Sequence, residues 1–233
     1  MGLLDRADAV LFDLDDTLLD YSAARDAGII TWMQEVDAAR HATDAVRRWR
    51  ELEEHHFRRY SQGELTFEEQ RRARIRAFRP DLREAADAVL DRAFSDYIVH
   101  TQAAWAPVPG AVETVRTLAA RLPVGVLTNG PVELQARKLR TLGLGDLALF
   151  ASSELPAPKP DVRAYEAACT ELGVAPARTV MVGDDLTNDV EGALYAGLRS
   201  VWFCRVALGE PDGWPVTPSS AVSVVTDLRE LLS

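Results

Sequence analysis

Asp13, Asp15 and Thr17 stand two residues apart directly after the apolar run Ala9-Val10-Leu11-Phe12. Two further groups share this pattern of polar residues closing an apolar run, and a lysine lies on the loop after another. Thr128-Asn129-Gly130 follows Val124–Leu127, Lys159 sits between Pro158 and Pro160, and Asp184, Asp185 and Asp189 follow Thr179–Val182. Carboxylates packed together raise one another's pKa unless a cation neutralises them. Hard carboxylate oxygens select Mg2+, which keeps several waters and accepts a substrate phosphate oxygen. The set therefore suits phosphoryl transfer. Asp13 is the candidate nucleophile on phosphorus, with the metal and Lys159 offsetting charge on the equatorial oxygens. Asp15, two residues on, shares a side with Asp13 in an extended chain; it would protonate the leaving oxygen and later deprotonate a water. Thr128 and the backbone amides near Asn129 and Gly130 would bind phosphate oxygens as neutral donors.

Such residues converge only if strands deliver them in one direction. Ala9–Phe12 reads as the buried first strand of a parallel sheet. After about residue 106 the sequence alternates helical stretches with strands. The helices are expected at Val112–Ala120, Val132–Leu142, Ala164–Leu172 and Val190–Ala196. The strands are expected at Val124–Leu127, Leu147–Ser152, Thr179–Val182, Ser200–Cys204 and Val222–Val225, the last before a short helix. Alternation of this kind means βαβ units and a mostly parallel sheet, whose ligands bind outside the carboxyl ends of the strands. Between Ser22 and Trp105 the spacing is helical throughout, with helices around Ala23–Ala39, over Val46–Tyr60, at Phe67–Phe78 and over Val89–Thr101. The expected fold is α/β: a Rossmann-like core at 1–17 and 106–233, with an inserted helical bundle at 18–105. Ser61–Glu64 is a turn between helices, Arg79-Pro80-Asp81 a break, and Gly209–Ser220 a surface loop. The four histidines, His55 and His56 among them, read as helix-surface residues.

The chain has 233 residues and a formal net charge of −10, which argues against a nucleic-acid partner. From residue 18 to 105, 16 acids face 14 bases, so most of the excess lies in the core, where six of the acids are Asp13, Asp15, Asp16, Asp184, Asp185 and Asp189. Its two cysteines, Cys169 and Cys204, form no pairing or zinc motif. No segment has the length of a membrane span and the opening lacks a signal-peptide pattern, so the expectation is a cytoplasmic protein away from membranes. Of the 26 basic residues, 24 are Arg and two are Lys, Lys138 and Lys159. Chemistry that needs an ammonium has few places to reside.

Phe12-Asp13-Leu14-Asp15-Asp16-Thr17-Leu18, Leu127-Thr128-Asn129-Gly130, Pro158-Lys159-Pro160 and Val182-Gly183-Asp184-Asp185 with Asn188-Asp189 resemble, in order, the four motifs of the haloacid dehalogenase-like hydrolase superfamily. The helical insertion resembles the cap that one of its branches carries between the first two motifs. The resemblance implies a mobile cap over an aspartate nucleophile. It also implies Mg2+ held by the Asp13 side chain, the Asp15 backbone carbonyl and the Asp184 side chain, with Asp185 and Asp189 supporting the metal or Lys159. Dehalogenases resembling this core lack an acid at Asp15 and need no metal, and phosphonate hydrolysis needs a cap lysine that is missing here. A phosphatase acting on a small phosphorylated metabolite, as monomer or homodimer, is the resulting expectation. Nucleoside monophosphates come first as substrate, then sugar phosphates or N-acylneuraminate 9-phosphate, while phosphomutases share the four motifs. The Gln62-Gly63-Glu64 turn is expected to reach toward the site. Carboxylates where a glycine-rich loop belongs exclude a nicotinamide dehydrogenase. A phosphorylatable receiver-like module would be about half this length and lack the insertion.

Overall fold

β1 (Ala9–Phe12), β2 (Val124–Thr128) and β4 (Thr179–Gly183) are buried along their whole length, the pattern of strands covered on both faces. With β3 (Ala148–Ala151), β5 (Arg199–Phe203) and β6 (Val222–Val225) they form one parallel sheet in the order β3-β2-β1-β4-β5-β6. The computed structural model describes residues 3–36, 42–205, 219 and 221–233, so residues 37–39 of the first expected helix, His41, and the Gly209–Ser220 loop apart from Ser219 lie outside it. These residues fall into two compact units, Met1–Asp20 with Ala106–Ser233, and Tyr21–Trp105. The first junction comes later than residue 17 because the chain folds back at once: Leu18 and Leu19 both donate to the Leu14 carbonyl, and Val108 donates to Leu18.

In the first unit the strand order reverses at β1, with β2 on one side and β4 on the other. A crevice opens at such a switch point, outside the carboxyl ends of the two strands. Pairing of Phe12 with Val182 brings the ends of β1 and β4 level, and the Asp13 N–H donates to the Val182 carbonyl at 2.8 Å. Helices α5 (Ala111–Ala119), α6 (Val132–Thr141) and α7 (Val162–Leu172) make the crossovers. Beyond β4 the helix starts earlier than Val190: Leu186–Glu191 forms a π-helical turn that runs into α8 (Gly192–Tyr195). Asp185 caps that turn by accepting from the Asn188 N–H at 2.7 Å, which lets the helix begin right after the acidic pair. The closing helix is a 3-10 segment, Leu228–Leu232, with an Asp227–Glu230 capping box.

The second unit packs α1 (Tyr21–Val36), α2 (Ala42–Ser61), α3 (Phe67–Phe78) and α4 (Asp87–Ala103). Thr66 and Glu69 cap α3 reciprocally, an arrangement announced by Thr-x-x-Glu in the sequence. The core is aromatic, with Trp49 lying 4.6 Å from Tyr97 and 5.0 Å from Phe78 between ring centroids, both edge-on. Gly28 lets α1 approach α4, since a Cβ there would meet the Thr101 backbone at 2.8 Å. Glu53 gathers the Tyr21 hydroxyl at 2.9 Å and the buried Arg74 at 2.9 Å.

His56 corrects the surface expectation for the histidines. It continues the buried stripe Ala45-Trp49-Leu52 along α2, and its Nδ1 has no hydrogen-bond partner among the described residues. Burial first, then the nearby charges of His55, Arg59 and Arg74, lower its pKa to about 4. A histidine depressed in the folded state contributes stability that is present above its unfolded pKa and lost as pH falls toward the folded one. Moving from neutral pH to about pH 5 should therefore cost about 1–2 kcal/mol through this residue. Urea melts of His56→Leu should lose that part of the acid sensitivity; an unchanged pH slope would refute the assignment.

Candidate active site

The site is built at the carboxyl ends of β1, β2 and β4. Asp13 follows β1 and is almost buried; Lys159, on the loop after β3, is 5% exposed, and Asp189, in the π-helical turn after β4, is 0% exposed. The Lys159 Nζ donates to Asp13 Oδ1 at 2.7 Å and to Asp189 Oδ1 at 2.6 Å. Asn129 fixes the lysine from its main chain: its Nδ2 donates to the Lys159 carbonyl and its Oδ1 accepts from the Lys159 N–H, both at 2.9 Å.

Burial raises the Asp13 carboxyl well above the usual range; Lys159 opposes this, while Asp189 and Asp184 add to it. Burial pushes Asp184 up to about 7, with repulsion from Asp189 and Asp16 added and the Thr17 hydroxyl, which donates to Asp184 Oδ1 at 3.2 Å, pulling back. Asp189 is likewise raised by burial against the pull of Lys159. Burial alone would lower the Lys159 ammonium, but Asp13 and Asp189 outweigh it and hold it protonated. One carboxylate oxygen each from Asp13, Asp184 and Asp189 lie within 4.8 Å of one another. Three hard oxygen donors with raised proton affinity fit a hard divalent cation such as Mg2+. Asp189 is already committed, since its Oδ2 accepts the Asp185 N–H at 3.1 Å and its Oδ1 takes Lys159. That leaves Asp13 and Asp184 as the side chains open toward a cation.

Gly183 makes room for Asp189. A Cβ at Gly183 would stand 2.1 Å from Asp189 Oδ2, a contact that forces the carboxylate away. Gly183→Ala should therefore release Lys159 and lower turnover by on the order of 100-fold. A crystal structure of the variant with Asp189 still on Lys159 would refute this.

The remaining expected residues behave differently. Thr128 is buried and its Oγ1 accepts from the Gln135 Nε2 at 2.9 Å, so its own hydroxyl proton is directed to another acceptor. The Gly130 N–H does not stand open as expected, because it donates to the Ser152 Oγ at 2.8 Å. Asn129 uses its side chain on Lys159 rather than outward. Asp185 acts through its backbone on Asp189 and through its side chain as a cap. Asp15 lies beyond the end of β1 at Phe12, just before the turn at Asp16, with φ +60°. Its carboxylate is gripped by a different lysine, with Lys138 Nζ 2.7 and 2.6 Å from the two oxygens. Sequence reasoning assigned no place to Lys138 or Gln135. The signal available was the scarcity of lysine, together with the three-residue spacing that puts both side chains on one face of α6.

A family model for haloacid dehalogenase-like hydrolases matches residues 7–197. The pyrimidine 5'-nucleotidase YjjG of Escherichia coli is 32% identical over 129 residues, 54% of this chain and 56% of that protein. The chain spans about half the length of the first curated relatives it matches. Among solved structures, the magnesium-bound HAD-hydrolase YfnB of Bacillus subtilis has a TM-score of 0.76 at 23% identity, covering 97% of each chain. The defluorinating L-2-haloacid dehalogenase Rha0230 has a TM-score of 0.75 at 20% identity, covering 97% of this chain and 93% of that one. At these identities the structural likeness speaks for the fold.

Proposed function

The chain belongs to the haloacid dehalogenase-like hydrolases, and on that premise we propose that it is a Mg2+-dependent phosphatase of small phosphomonoesters, working through a phosphorylated Asp13. The observation that carries this reading is the buried Lys159 ammonium held between Asp13 and Asp189, with Asp184 alongside. Lys159 occupies one oxygen of Asp13 and leaves the other to attack phosphorus. Asp13 and Asp184, with the Asp15 backbone carbonyl, would hold Mg2+, which when bound offsets the carboxylate and phosphate charges. As the ester bond breaks, the Asp15 carboxyl gives its proton to the leaving oxygen. Asp15 then takes a proton from the water that attacks the aspartyl phosphate, which frees Asp13 and inorganic phosphate. The Thr128 hydroxyl, oriented by Gln135, donates to a phosphate oxygen, and Lys159 screens its charge.

A halide leaves without a proton and an alkoxide does not, so an acid at Asp15 favours ester hydrolysis over dehalogenation. The similarity to a pyrimidine 5'-nucleotidase and the opening Asp-Leu-Asp-Asp-Thr-Leu-Leu-Asp-Tyr support a nucleoside monophosphate as substrate. In this reading the Tyr21–Trp105 helices form the cap that selects it. The test is phosphate release from 4-nitrophenyl phosphate, nucleoside monophosphates and sugar phosphates, with Mg2+ or with EDTA. Release that requires Mg2+, disappears in Asp13→Asn and is fastest on nucleotides is expected. Equal inactivity of wild type and variant across the panel would overturn the reading.

A further inference from the structure

We propose that Lys138 is the positioning residue for Asp15, a buried pivot that aims its carboxyl at the ester oxygen; this deepens the phosphatase reading and rests on it. Lys138 is 3% exposed, so its ammonium has given up its hydration for the Asp15 carboxylate, at 2.7 and 2.6 Å from the two oxygens. Giving up that hydration is costly and is repaid only by good geometry. Charge pairing elsewhere among the described residues falls mainly to arginine, on the surface as in Arg116–Asp146 and Arg178–Asp8 and buried as in Arg74–Glu53. Lysine appears twice in the whole chain, and each copy is buried against an aspartate of the loop that follows β1.

The placement also suits the task. Asp15 lies outside the strand on a loop, with its side chain 31% exposed, and such a carboxylate has rotamers to choose from. Lys138 comes from α6, the helix that directly follows the β2 end, and Gln135 one turn earlier holds the Thr128 hydroxyl and the Asn129 carbonyl at 2.9 Å each. One rigid helix face thus orients both the phosphate donor and the proton donor. An ammonium is a point charge with rotatable donors, whereas a guanidinium forks onto both oxygens of a carboxylate. Lys138 can keep one Asp15 oxygen while the other turns to the ester. In the first step the Asp15 O–H proton moves to the leaving oxygen as phosphorus bonds to Asp13; in the second the carboxylate regains a proton from water. Lys138 stays an ammonium throughout.

The test compares two esters in single-turnover rapid quench, reading phosphorylation of Asp13. An alkyl phosphate needs a proton on its leaving oxygen, whereas 4-nitrophenyl phosphate releases a stable phenolate. For Lys138→Met the alkyl-to-aryl rate ratio should fall by on the order of 10–100-fold. Asp15→Asn should lower the same ratio, the double variant should do no worse than Asp15→Asn alone, and Lys138→Arg should recover part of the loss. An equal loss on both esters, or additive losses in the double variant, would show a merely structural lysine and overturn the assignment. Should Lys138→Met not fold, the Lys138→Arg ratio decides: a wild-type ratio overturns the pivot, and an intermediate one supports it. If wild type forms no phosphoenzyme with either ester, the phosphatase reading fails and takes this assignment with it.

Discussion

Asp13→Asn is expected to lower phosphate release by on the order of 10^4-fold or more while leaving the fold intact. The amide matches the carboxylate in shape, so the Lys159 contact and the strand register have no steric reason to change. What disappears is the nucleophile, since a neutral amide oxygen does not displace an alkoxide from phosphorus. One of the three carboxylates that gather within 4.8 Å also loses its charge. Stability should move the opposite way. Burial raises the Asp13 pKa in the folded protein, so the folded state holds this proton more tightly than the unfolded one. The associated stability is present at low pH and lost as pH rises, and an amide escapes that loss. Without metal at about pH 8, the variant should melt at or above the wild-type temperature. Activity within tenfold of wild type would remove Asp13 from the nucleophile's place, and a large drop in melting temperature would contradict the charge argument.

The site was legible where chemistry and strand ends coincide. Asp13, Lys159, Asp184 and Asp189 come from three of the four motifs, in order, and a parallel sheet leaves them one place to meet. Residues that act through side chains of their own neighbours were not legible. Whether Asn129 faces outward or back onto the Lys159 main chain depends on how two loops stack, and no spacing rule reports that. The same holds for the Gly130 amide, which is taken by Ser152. The Lys138 partner of Asp15 was not legible either, because it comes from α6, far along the chain from the loop after β1. Period-3.6 patterning located the helices, and it would have placed His56 with Ala45, Trp49 and Leu52 had residue type not been allowed to outweigh position. The lysine count, applied to Lys159, was left unused for Lys138, although a composition of 24 arginines and two lysines leaves each lysine a special environment to explain.

Lys159→Met should cost both activity and stability, and the pH dependence separates the two causes. Among the described residues the ammonium is the partner that lowers both Asp13 and Asp189, and its removal leaves two buried carboxylates facing each other and Asp184. Breaking a buried pair by deleting one partner typically costs about 3–5 kcal/mol, because the other charge stays buried. Turnover should fall by on the order of 1000-fold, as when an oriented donor is removed from a developing anion. With the lysine gone, Asp13 and Asp189 rise further above their unfolded values, so the folded variant gains stability by taking up protons as pH falls. The stability gap to wild type, read from metal-free urea melts, should therefore be wide at about pH 8 and narrow at about pH 5. His56 contributes equally to both proteins and cancels in that difference. Added Mg2+ should narrow the gap at high pH, since a divalent cation offsets the same carboxylates, yet it should not restore turnover, because Asp13 would still lack the contact that holds its attacking orientation. A gap below about 1 kcal/mol, or one that does not change with pH, would mean that Lys159 is not the charge that makes this cluster tolerable.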